Sequence, residues 1–353
     1  MKRIFTAMAA LALTIPPLQA NEPVSANKFA SYMVGAEQVR IQNGEESLRG
    51  VMNQALVTYI ETNLNNGNGP VLMVPDVGLS TYIFARTPDN RDGWLEGFAQ
   101  LGHHAYAYDW INTGNSPQNI LPFALLNDGV ICYDHQGCGE SDNPLLQRVD
   151  KLQPADIWRA WGFGPVQGEA YPDSQYPLEQ VMQLYSSLPA YATYVNNDQD
   201  LIINARNMIE ALEDNGPANL ILHGAAVETG AQVARLRPDL VRSLVLLEPT
   251  GCEAIEPLTQ VPVLAMYGDY LSQRGMTNSL QSCIDQLNAH RASGGQADLL
   301  TLGDVPELQS REEELAAVRI PAGASGNSHL MMQDRNNLAI AGMISRWIDL
   351  RLN

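Results

Sequence analysis

The chain has 353 residues, of which 45% are hydrophobic and 17% are charged, and its formal net charge at pH 7 is −18. This composition is typical of a globular protein with a large apolar core and excludes a disordered chain. A strongly acidic surface repels phosphate backbones and anionic lipid headgroups, so nucleic acid and membrane surfaces are not expected as partners.

The first 20 residues are typical of a bacterial secretory signal peptide. Lys2 and Arg3 precede an apolar run over residues 4–15, and a proline-containing segment ends at Ala20. A membrane anchor is the alternative, but the run is shorter than the roughly 20 residues that span a bilayer. We predict cleavage after Ala20, a mature charge of −20 because two lysine or arginine charges are removed, and export to the periplasm or the medium without membrane insertion.

Four cysteines in a chain that is expected to be exported permit two disulfide bonds. Three pairings are possible. Proximity in the predicted loops favours Cys132 with Cys138 and Cys252 with Cys283, and free buried thiols are the alternative. No cysteine and histidine spacing suggests a zinc site. The sequence therefore suggests neither a metal nor a cofactor.

The first part of the chain alternates predicted strands and helices. After a polar lead, the pattern predicts strands at 54–61, 71–74 and 105–109 and a helix at 93–101. The second of these strands is uniformly apolar, as expected for a parallel strand that is buried on both faces. The loop that follows it carries Asp76 and Val77.

Residues 98–116 and 123–141 share seven identities at a constant spacing of 25 residues. We interpret the two segments as a duplicated helix–strand unit, and chance similarity is the alternative. The sequence leaves open which unit, the one ending at Asp109 or the one ending at Asp134, takes the fourth-strand place in the sheet.

The second part of the chain begins with a segment, at about 142–197, that is rich in proline and aromatic residues and is typical of an irregular cap. Regular alternation then resumes, with predicted helices at 198–213, 229–236, 278–290 and 335–350 and predicted strands at 219–223, 243–247, 263–267 and 299–302. Strands separated by helices predict a parallel, doubly wound sheet.

Residues 219–234 have the outline of a nucleophile elbow, the strand–turn–helix corner that carries a catalytic serine above a sheet. An apolar run ends at His223, a turn of small residues follows, and a helical pattern begins. Gly224 stands where the serine is expected. Glycine adopts the strained backbone of such a corner but supplies no nucleophile.

Further segments carry a family resemblance, and they occur in family order over most of the chain at 87–94, 158–165, 171–177, 237–241, 247–251 and 326–337. In these segments the chain resembles the secreted bacterial esterases of the α/β-hydrolase superfamily whose triad acid is a glutamate after the sixth strand. The resemblance implies an α/β-hydrolase fold with a doubly wound, mostly parallel sheet, in a single domain over 21–353 with an irregular cap insertion.

The resemblance also implies roles for individual residues. His329, in a polar loop before the last helix, matches the general base, and Glu248, at the end of a predicted strand, matches the acid that orients it. Asp269 follows the next strand, at the acid position of the commoner superfamily arrangement, and is the alternative acid. His223 is expected to pack or hydrogen-bond under the turn.

Two places depart from the family's pattern. The family's His-Ser-Gln-Ser-Gly matches residues 223–227, so that Gly224 replaces the nucleophile, and its His-Gly after the third strand matches Pro75 and Asp76. Pro75 has no N–H to donate, and the carboxylate of Asp76 could oppose an oxyanion. The residues that we expect to form the oxyanion and ligand-binding region are Asp76, Val77, Ala225, Trp158 and Trp161.

Three functions fit these observations. The first is a degenerate esterase homologue that binds a small apolar ester or acyl ligand without a serine nucleophile. The second is an active carboxylic-ester hydrolase, in which His329 and Glu248 activate a water in the space left by the serine. The third is a scaffold that binds a partner through its acidic exterior, which nothing local in the sequence supports.

Overall fold

The structure is a computed structural model that describes residues 26–43, 46–117, 147–194, 197–252, 255, 258–303 and 325–353. The predicted signal peptide, Cys132 with Cys138, and the second repeated unit at 123–141 lie outside the described residues. In the described part of the chain, no helix is long and apolar enough to cross a membrane.

The strands of the described chain are β1 (Ala26–Val34), β2 (Glu37–Asn43), β3 (Glu46–Met52), β4 (Ala55–Thr62), β5 (Val71–Val74), β6 (Ala105–Tyr108), β7 (Gln147–Asp150), β8 (Tyr191–Tyr194), β9 (Ala218–His223), β10 (Val241–Leu247), β11 (Val263–Tyr267) and β12 (Ala297–Thr301). The α-helices are α1 (Tyr82–Ala85), α2 (Trp94–Gln100), α3 (Pro154–Ala160), α4 (Val181–Ser187), α5 (Asn197–Asn215), α6 (Ala226–Leu236), α7 (Leu271–Arg274), α8 (Thr277–Ala292) and α9 (Asn337–Leu352).

Eight of these strands form the central sheet, in the order β1-β4-β6-β5-β9-β10-β11-β12. β4 pairs antiparallel with β1 and β6, whereas every neighbouring pair from β6 to β12 is parallel. The prediction of a doubly wound, mostly parallel sheet is confirmed. β6 belongs to the first repeated unit and ends directly before Asp109. In the sheet it lies between β4 and β5, which is the place of the superfamily's fourth strand, so the first repeated unit takes this place.

Alternate residues of the parallel strands enter cores on opposite faces of the sheet. In β9, Leu220 and Leu222 belong to one buried cluster, together with residues of α5, α6 and α8. Ile221 belongs to the other cluster, together with residues of α2 and α9. Because both faces are covered, β5, β9 and β11 consist entirely of buried residues, which explains the uninterrupted apolar sequences of β5 and β11. β9 also contains two buried polar residues, Asn219 and His223.

Two regions are more regular than the sequence patterns indicated. The polar lead forms the edge strand β1 and the β2–β3 hairpin, which were not predicted because strands with water on one side carry a weak apolar signal. The described residues 147–194, inside the predicted cap insertion, form α3, α4, a 3₁₀ turn at Leu178–Gln180 and the β7–β8 pair. Pro154 begins α3, where a missing N–H is tolerated.

The predicted disulfide between Cys252 and Cys283 is confirmed. Cys252 lies in the loop after β10 and Cys283 lies in α8, with their Cα atoms 4.7 Å apart. Both residues are completely buried in the core that α8 shares with the sheet. The bond therefore ties the loop after Glu248 to a helix on one face of the sheet.

Replacing both cysteines by alanine is expected to lower the free energy of unfolding by about 3–4 kcal/mol, from the loop-closure entropy of a cross-link spanning 31 residues. Urea unfolding in oxidising buffer measures the difference between the variant and the wild type. Adding a thiol reductant to both samples is the control. The disulfide does not stabilise the fold if the two proteins unfold alike before reduction.

Candidate active site

The corner between β9 and α6 has the geometry that its sequence predicted. Gly224 has a φ of +55°, in the left-handed region that favours glycine, and α6 begins two residues later at Ala226. The Gly224 N–H donates to the carbonyl of Leu247 at 2.9 Å, which fixes the corner against the end of β10. The structure thus holds a strand–turn–helix corner with no side chain at its tip.

The carboxylate of Asp76 occupies the space above this corner. A Cβ atom built on Gly224 would lie 2.3 Å from Cγ and 2.3 Å from Oδ2 of Asp76, far inside van der Waals contact. Asp76 reaches this position from the loop after β5. A side chain at position 224 and the carboxylate of Asp76 in its present position therefore exclude each other.

The same carboxylate accepts hydrogen bonds from both of the predicted oxyanion donors. Asp76 Oδ1 accepts hydrogen bonds from the N–H of Val77 and the N–H of Ala225, each at 2.8 Å. Two backbone donors aimed at one oxygen are the arrangement that stabilises a developing oxyanion in acyl transfer. From the sequence, Asp76 was expected to oppose an oxyanion, and in the structure its Oδ1 accepts from both of the predicted donors.

His329 lies between two carboxylates. Its Nδ1 is 3.0 Å from Glu248 Oε2, and its Nε2 is 3.4 Å from Asp76 Oδ2. The backbone N–H of His329 donates to the carbonyl of Trp161 at 2.8 Å, and the two rings stack with centroids 5.7 Å apart. The histidine is therefore fixed through its ring, both ring nitrogens and its backbone.

Glu248 follows β10 with a φ of +49°, an uncommon conformation for a residue with a side chain. Its carboxylate is completely buried, accepts from the Gly268 N–H at 2.7 Å, and forms a two-point ion pair with Arg274, with Nη1 at 2.9 Å from Oε1 and a second close contact from Nη2 to Oε2. Sequence reasoning missed Arg274. The only signal was general, namely that a buried carboxylate requires a cation, and no local motif identifies which one.

The alternative acid, Asp269, lies elsewhere. Its Oδ2 accepts from the Asn327 N–H at 2.8 Å, its own N–H donates to the Asn327 carbonyl at 2.9 Å, and burial raises the pKa of Asp269 to about 6. Among the described residues, the carboxylates within 4.0 Å of the His329 ring nitrogens are those of Glu248 and Asp76. Asp269 thus holds the loop before His329, whereas Glu248 contacts the imidazole.

His223 lies under the corner, as the sequence suggested. Its Nδ1 accepts from the Asp76 N–H at 3.3 Å, and its Nε2 is 3.0 Å from the carbonyl of His329, to which it donates in the matching tautomer. Burial lowers the pKa of His223 to about 3, so the ring is neutral. One neutral histidine therefore connects the backbone of the Asp76 loop to the backbone of the His329 loop.

Asp109 supports the Asp76 loop from its far end. Its Oδ1 accepts from the Thr81 N–H at 2.7 Å, and its Oδ2 accepts from the Thr81 hydroxyl at 3.0 Å and from the Asn115 N–H at 3.1 Å. Burial raises the pKa of Asp109 to about 6. Asp109 is a positioning residue that the sequence analysis noted only as part of the repeat.

The two tryptophans predicted to contact a ligand have different environments. Trp161 stacks on His329 and is therefore next to the carboxylate chain. Trp158 is buried edge-to-face against Phe163, and its indole N–H donates to the Glu169 carbonyl at 3.0 Å. Trp158 supports Trp161 through Phe163, which contacts both rings, and its contact with a ligand stays a prediction.

Four charged groups alternate in sign through the site, in the order Arg274, Glu248, His329, Asp76. Burial by itself would raise the pKa of Glu248 and of Asp76. Arg274 and His329 instead hold the pKa of Glu248 below its ordinary value. His329 and the Ala225 N–H lower the pKa of Asp76 in the same way. Burial would lower the pKa of His329, and its two carboxylate partners raise it instead. The arrangement favours an imidazolium between two carboxylates.

An open cavity of about 440 Å³ adjoins the corner, and a quarter of the Asp76 side chain remains accessible to solvent. This volume lies within the range of small-molecule sites. The residues that line the cavity are Gly224, Ala225, Val227, Glu228, Arg235, Thr250 and Gly251.

No protein-family model matches the chain. A fungal protein (strain ATCC 74256) named "Probable secreted lipase phiG" is 21% identical over 315 residues, which cover 79% of this chain and 81% of that protein. A solved structure described as a novel bacterial esterase superposes with a TM-score of 0.79 at 24% identity, covering 96% of this chain and 100% of that chain. Together with the strand order, this superposition shows that the chain has the α/β-hydrolase fold.

The charge of Asp76 is expected to control the protonation of His329. Because the pKa of His329 is raised in the folded protein, the stability that its charge contributes is fully present below the unfolded pKa of about 6.5 and is lost as pH rises through the folded pKa. Asp76→Asn removes one carboxylate, so the folded pKa of His329 should fall and this pH-dependent stability should shrink.

Imidazole NMR titration measures the pKa of His329, and urea unfolding at several pH values measures the stability. Asp239→Asn is the matched control, because the Asp239 side chain is 62% exposed and pairs only with the surface residue Arg237 among the described ion pairs. An unchanged His329 titration in Asp76→Asn would show that the two groups do not interact.

Proposed function

We propose that the chain is an exported, esterase-like protein of the α/β-hydrolase fold that binds a small apolar ester or acyl ligand beside Gly224 without a serine nucleophile. The observation that carries this proposal is the position of Asp76, which excludes a side chain from Gly224 and takes both oxyanion N–H groups. The predicted signal peptide, the buried Cys252–Cys283 bond and the secreted lipase relative support export.

An ester bound in the cavity finds neither a nucleophile nor free oxyanion donors. The corner offers no hydroxyl to attack the carbonyl carbon, and the N–H groups of Val77 and Ala225 already bind Asp76 Oδ1. Loss of a single oxyanion donor typically costs about 10²–10³ in rate, so a carbonyl without either donor is not activated. Binding without turnover follows.

His329 and Glu248 are assigned the positions of the general base and its orienting acid. The alternative, in which this pair activates a water in the space left by the serine, has less support, because Asp76 Oδ2 fills that space. Both ring nitrogens of His329 also face carboxylates, so neither is free to accept a proton from a water. The contact of Asp76 with His329 Nε2 therefore argues against water activation by this pair.

Rebuilding the serine enzyme requires two substitutions. The wild type should release p-nitrophenol from p-nitrophenyl butyrate no faster than buffer, and Gly224→Ser alone should gain little, because its Cβ meets Asp76 at 2.3 Å. Asp76→Gly combined with Gly224→Ser frees both oxyanion donors and admits the hydroxyl. We expect this double variant to exceed either single variant by about 10²-fold or more, as restored oxyanion donors imply.

Asp76→Gly alone is the matched control, since it frees the oxyanion donors without supplying a nucleophile. Wild-type ester hydrolysis that disappears in His329→Ala would overturn the proposal in favour of an active hydrolase. Circular dichroism establishes that each variant is folded.

Ligand binding is tested separately, by saturation-transfer NMR of the wild type with methyl butyrate. Thr250 is exposed and lines the cavity, so Thr250→Trp should fill the cavity and abolish the signal, whereas Thr250→Ser should retain it. Equal signals from the two variants would show that the ester does not bind in this cavity.

A further inference from the structure

We propose that the ligand of the cavity beside Gly224 is an acyl compound with a free carboxylate at its far end, of the class of dicarboxylic acid monoesters, and that Arg235 binds this carboxylate. The inference rests on the proposed function in one respect, that an ester or acyl ligand occupies this cavity. It adds the chemical class of the ligand and the direction in which the ligand lies.

One wall of the cavity is the outer face of α6. Glu228, Gln232 and Arg235 are spaced four and three residues apart, so they lie on one side of the helix. Glu228 and Arg235 are exposed and line the cavity, whereas the other side of α6 is buried in the core. Thr250 and Gly251, in the loop after β10, also line the cavity. The cavity therefore extends along α6 from the corner to the last turn of the helix.

The two charged residues of this wall mark the two ends of the cavity. Glu228 lies in the first turn of α6, next to the corner, and Arg235 lies in the last turn. Seven residues at 1.5 Å each separate them by roughly 10 Å along the helix axis. The helix macrodipole favours an acid at the start of a helix and a base at its end, but it does not require both side chains to line one cavity. The cavity thus has an anionic end and a cationic end.

The guanidinium of Arg235 is oriented by a neutral group. Its Nε and Nη2 donate to Gln232 Oε1 at 3.1 Å and 2.9 Å. Because helical side chains lean toward the N-terminus of their helix, this contact directs the guanidinium back along α6 toward the corner. The amide of Gln232 carries no charge, whereas a ligand carboxylate both accepts from a guanidinium and matches its charge. A carboxylate is therefore the ligand group that Arg235 recognises best.

The corner end of the cavity disfavours an anion. Glu228 contributes a carboxylate there, and the carboxylate of Asp76, which is one quarter accessible, lies over Gly224. A negative group of the ligand at this end would face like charges. The ligand therefore lies with its neutral ester end at the corner and its carboxylate at Arg235. The uncharged residues of the lining, which suit an apolar chain between the two ends, are Gly224, Ala225, Val227, Thr250 and Gly251.

The charge of the whole protein makes a preference for an anionic ligand diagnostic. The formal net charge of −18 repels anions at long range. Non-specific attraction therefore cannot make a monoester bind more tightly than the corresponding neutral diester. Among the described residues that line the cavity, Arg235 is the only cation. Tighter binding of the monoester would accordingly identify a contact with Arg235.

The test titrates the full-length folded protein with monomethyl adipate, dimethyl adipate and adipate at pH 7, by saturation-transfer NMR. The three probes share one acyl chain and carry one, no and two carboxylates. We expect monomethyl adipate to bind about fivefold more tightly than dimethyl adipate, a modest gain because Arg235 is exposed. Added NaCl should weaken binding of the monoester and leave the diester unchanged. Adipate should bind more weakly than the monoester, because its second carboxylate meets Glu228.

Substitutions at the two ends of the cavity separate the two contributions. Arg235→Gln should lower the affinity for the monoester to that for the diester, and Arg235→Lys, which keeps the charge without the planar fork, should retain part of the preference. Glu228→Gln should strengthen binding of adipate more than binding of the monoester. Arg206→Gln is the matched control, because Arg206 lies in α5 and pairs with Glu37. It should bind all three probes as the wild type does.

Failure of this inference is distinguishable from failure of the proposed function. Equal affinities of the wild type for the monoester and the diester overturn the inference, and so does a preference for the monoester that survives in Arg235→Gln. Arg235 then only complements the helix dipole, and the proposed function stands. Absence of binding by all three probes overturns both. Hydrolysis of the monoester by the wild type overturns the proposed function and leaves the assignment of Arg235 intact.

Discussion

The site depends on a single electrostatic requirement, that each buried charge has a partner of opposite sign. Glu248 is completely buried, and it tolerates this only because Arg274 and His329 contact its two oxygens. His329 in turn lies against Asp76. The four charged residues come from the loops after β5 and β10, from α7 and from the loop before α9, so their contacts fix how these segments meet above the sheet. His223, Asp109 and Asp269 hold the same loops through their backbones.

The residue at position 224 and the placement of Asp76 depend on each other. A side chain at 224 would collide with the carboxylate, and glycine also suits the positive φ of the corner. With glycine in place, the carboxylate lies over the corner, accepts from the N–H groups of Val77 and Ala225 and contacts His329. Gly224→Ser alone therefore meets the carboxylate of Asp76, and Asp76→Gly alone supplies no hydroxyl. Because of this coupling, the ester-hydrolysis test combines substitutions at both positions.

The sequence predicted the parallel core of the sheet well and the edges poorly. Strands β5, β6, β9, β10, β11 and β12 were found because strands buried on both faces contain runs of apolar residues. The antiparallel strand β4 was found from its mixed apolar and β-branched sequence. The strands β1 to β3 escaped prediction, since antiparallel edge strands are half exposed and mixed in composition. The prolines and aromatic residues of 147–194 suggested irregular structure, whereas the described helices there begin after or beside those prolines.

By itself, the sequence determined the fold class and the strand–turn–helix corner at Gly224, because these depend on local patterns and on order along the chain. It favoured the Cys252–Cys283 pairing among three possibilities, and the family resemblance implied that His329 and Glu248 meet. Only the tertiary structure decided which cation balances Glu248, where the carboxylate of Asp76 lies, and which carboxylate contacts His329. These contacts join residues that are far apart in sequence, 149 residues for Asp76 and Ala225. Their distances of about 3 Å are set by how several loops pack together, which no local pattern encodes.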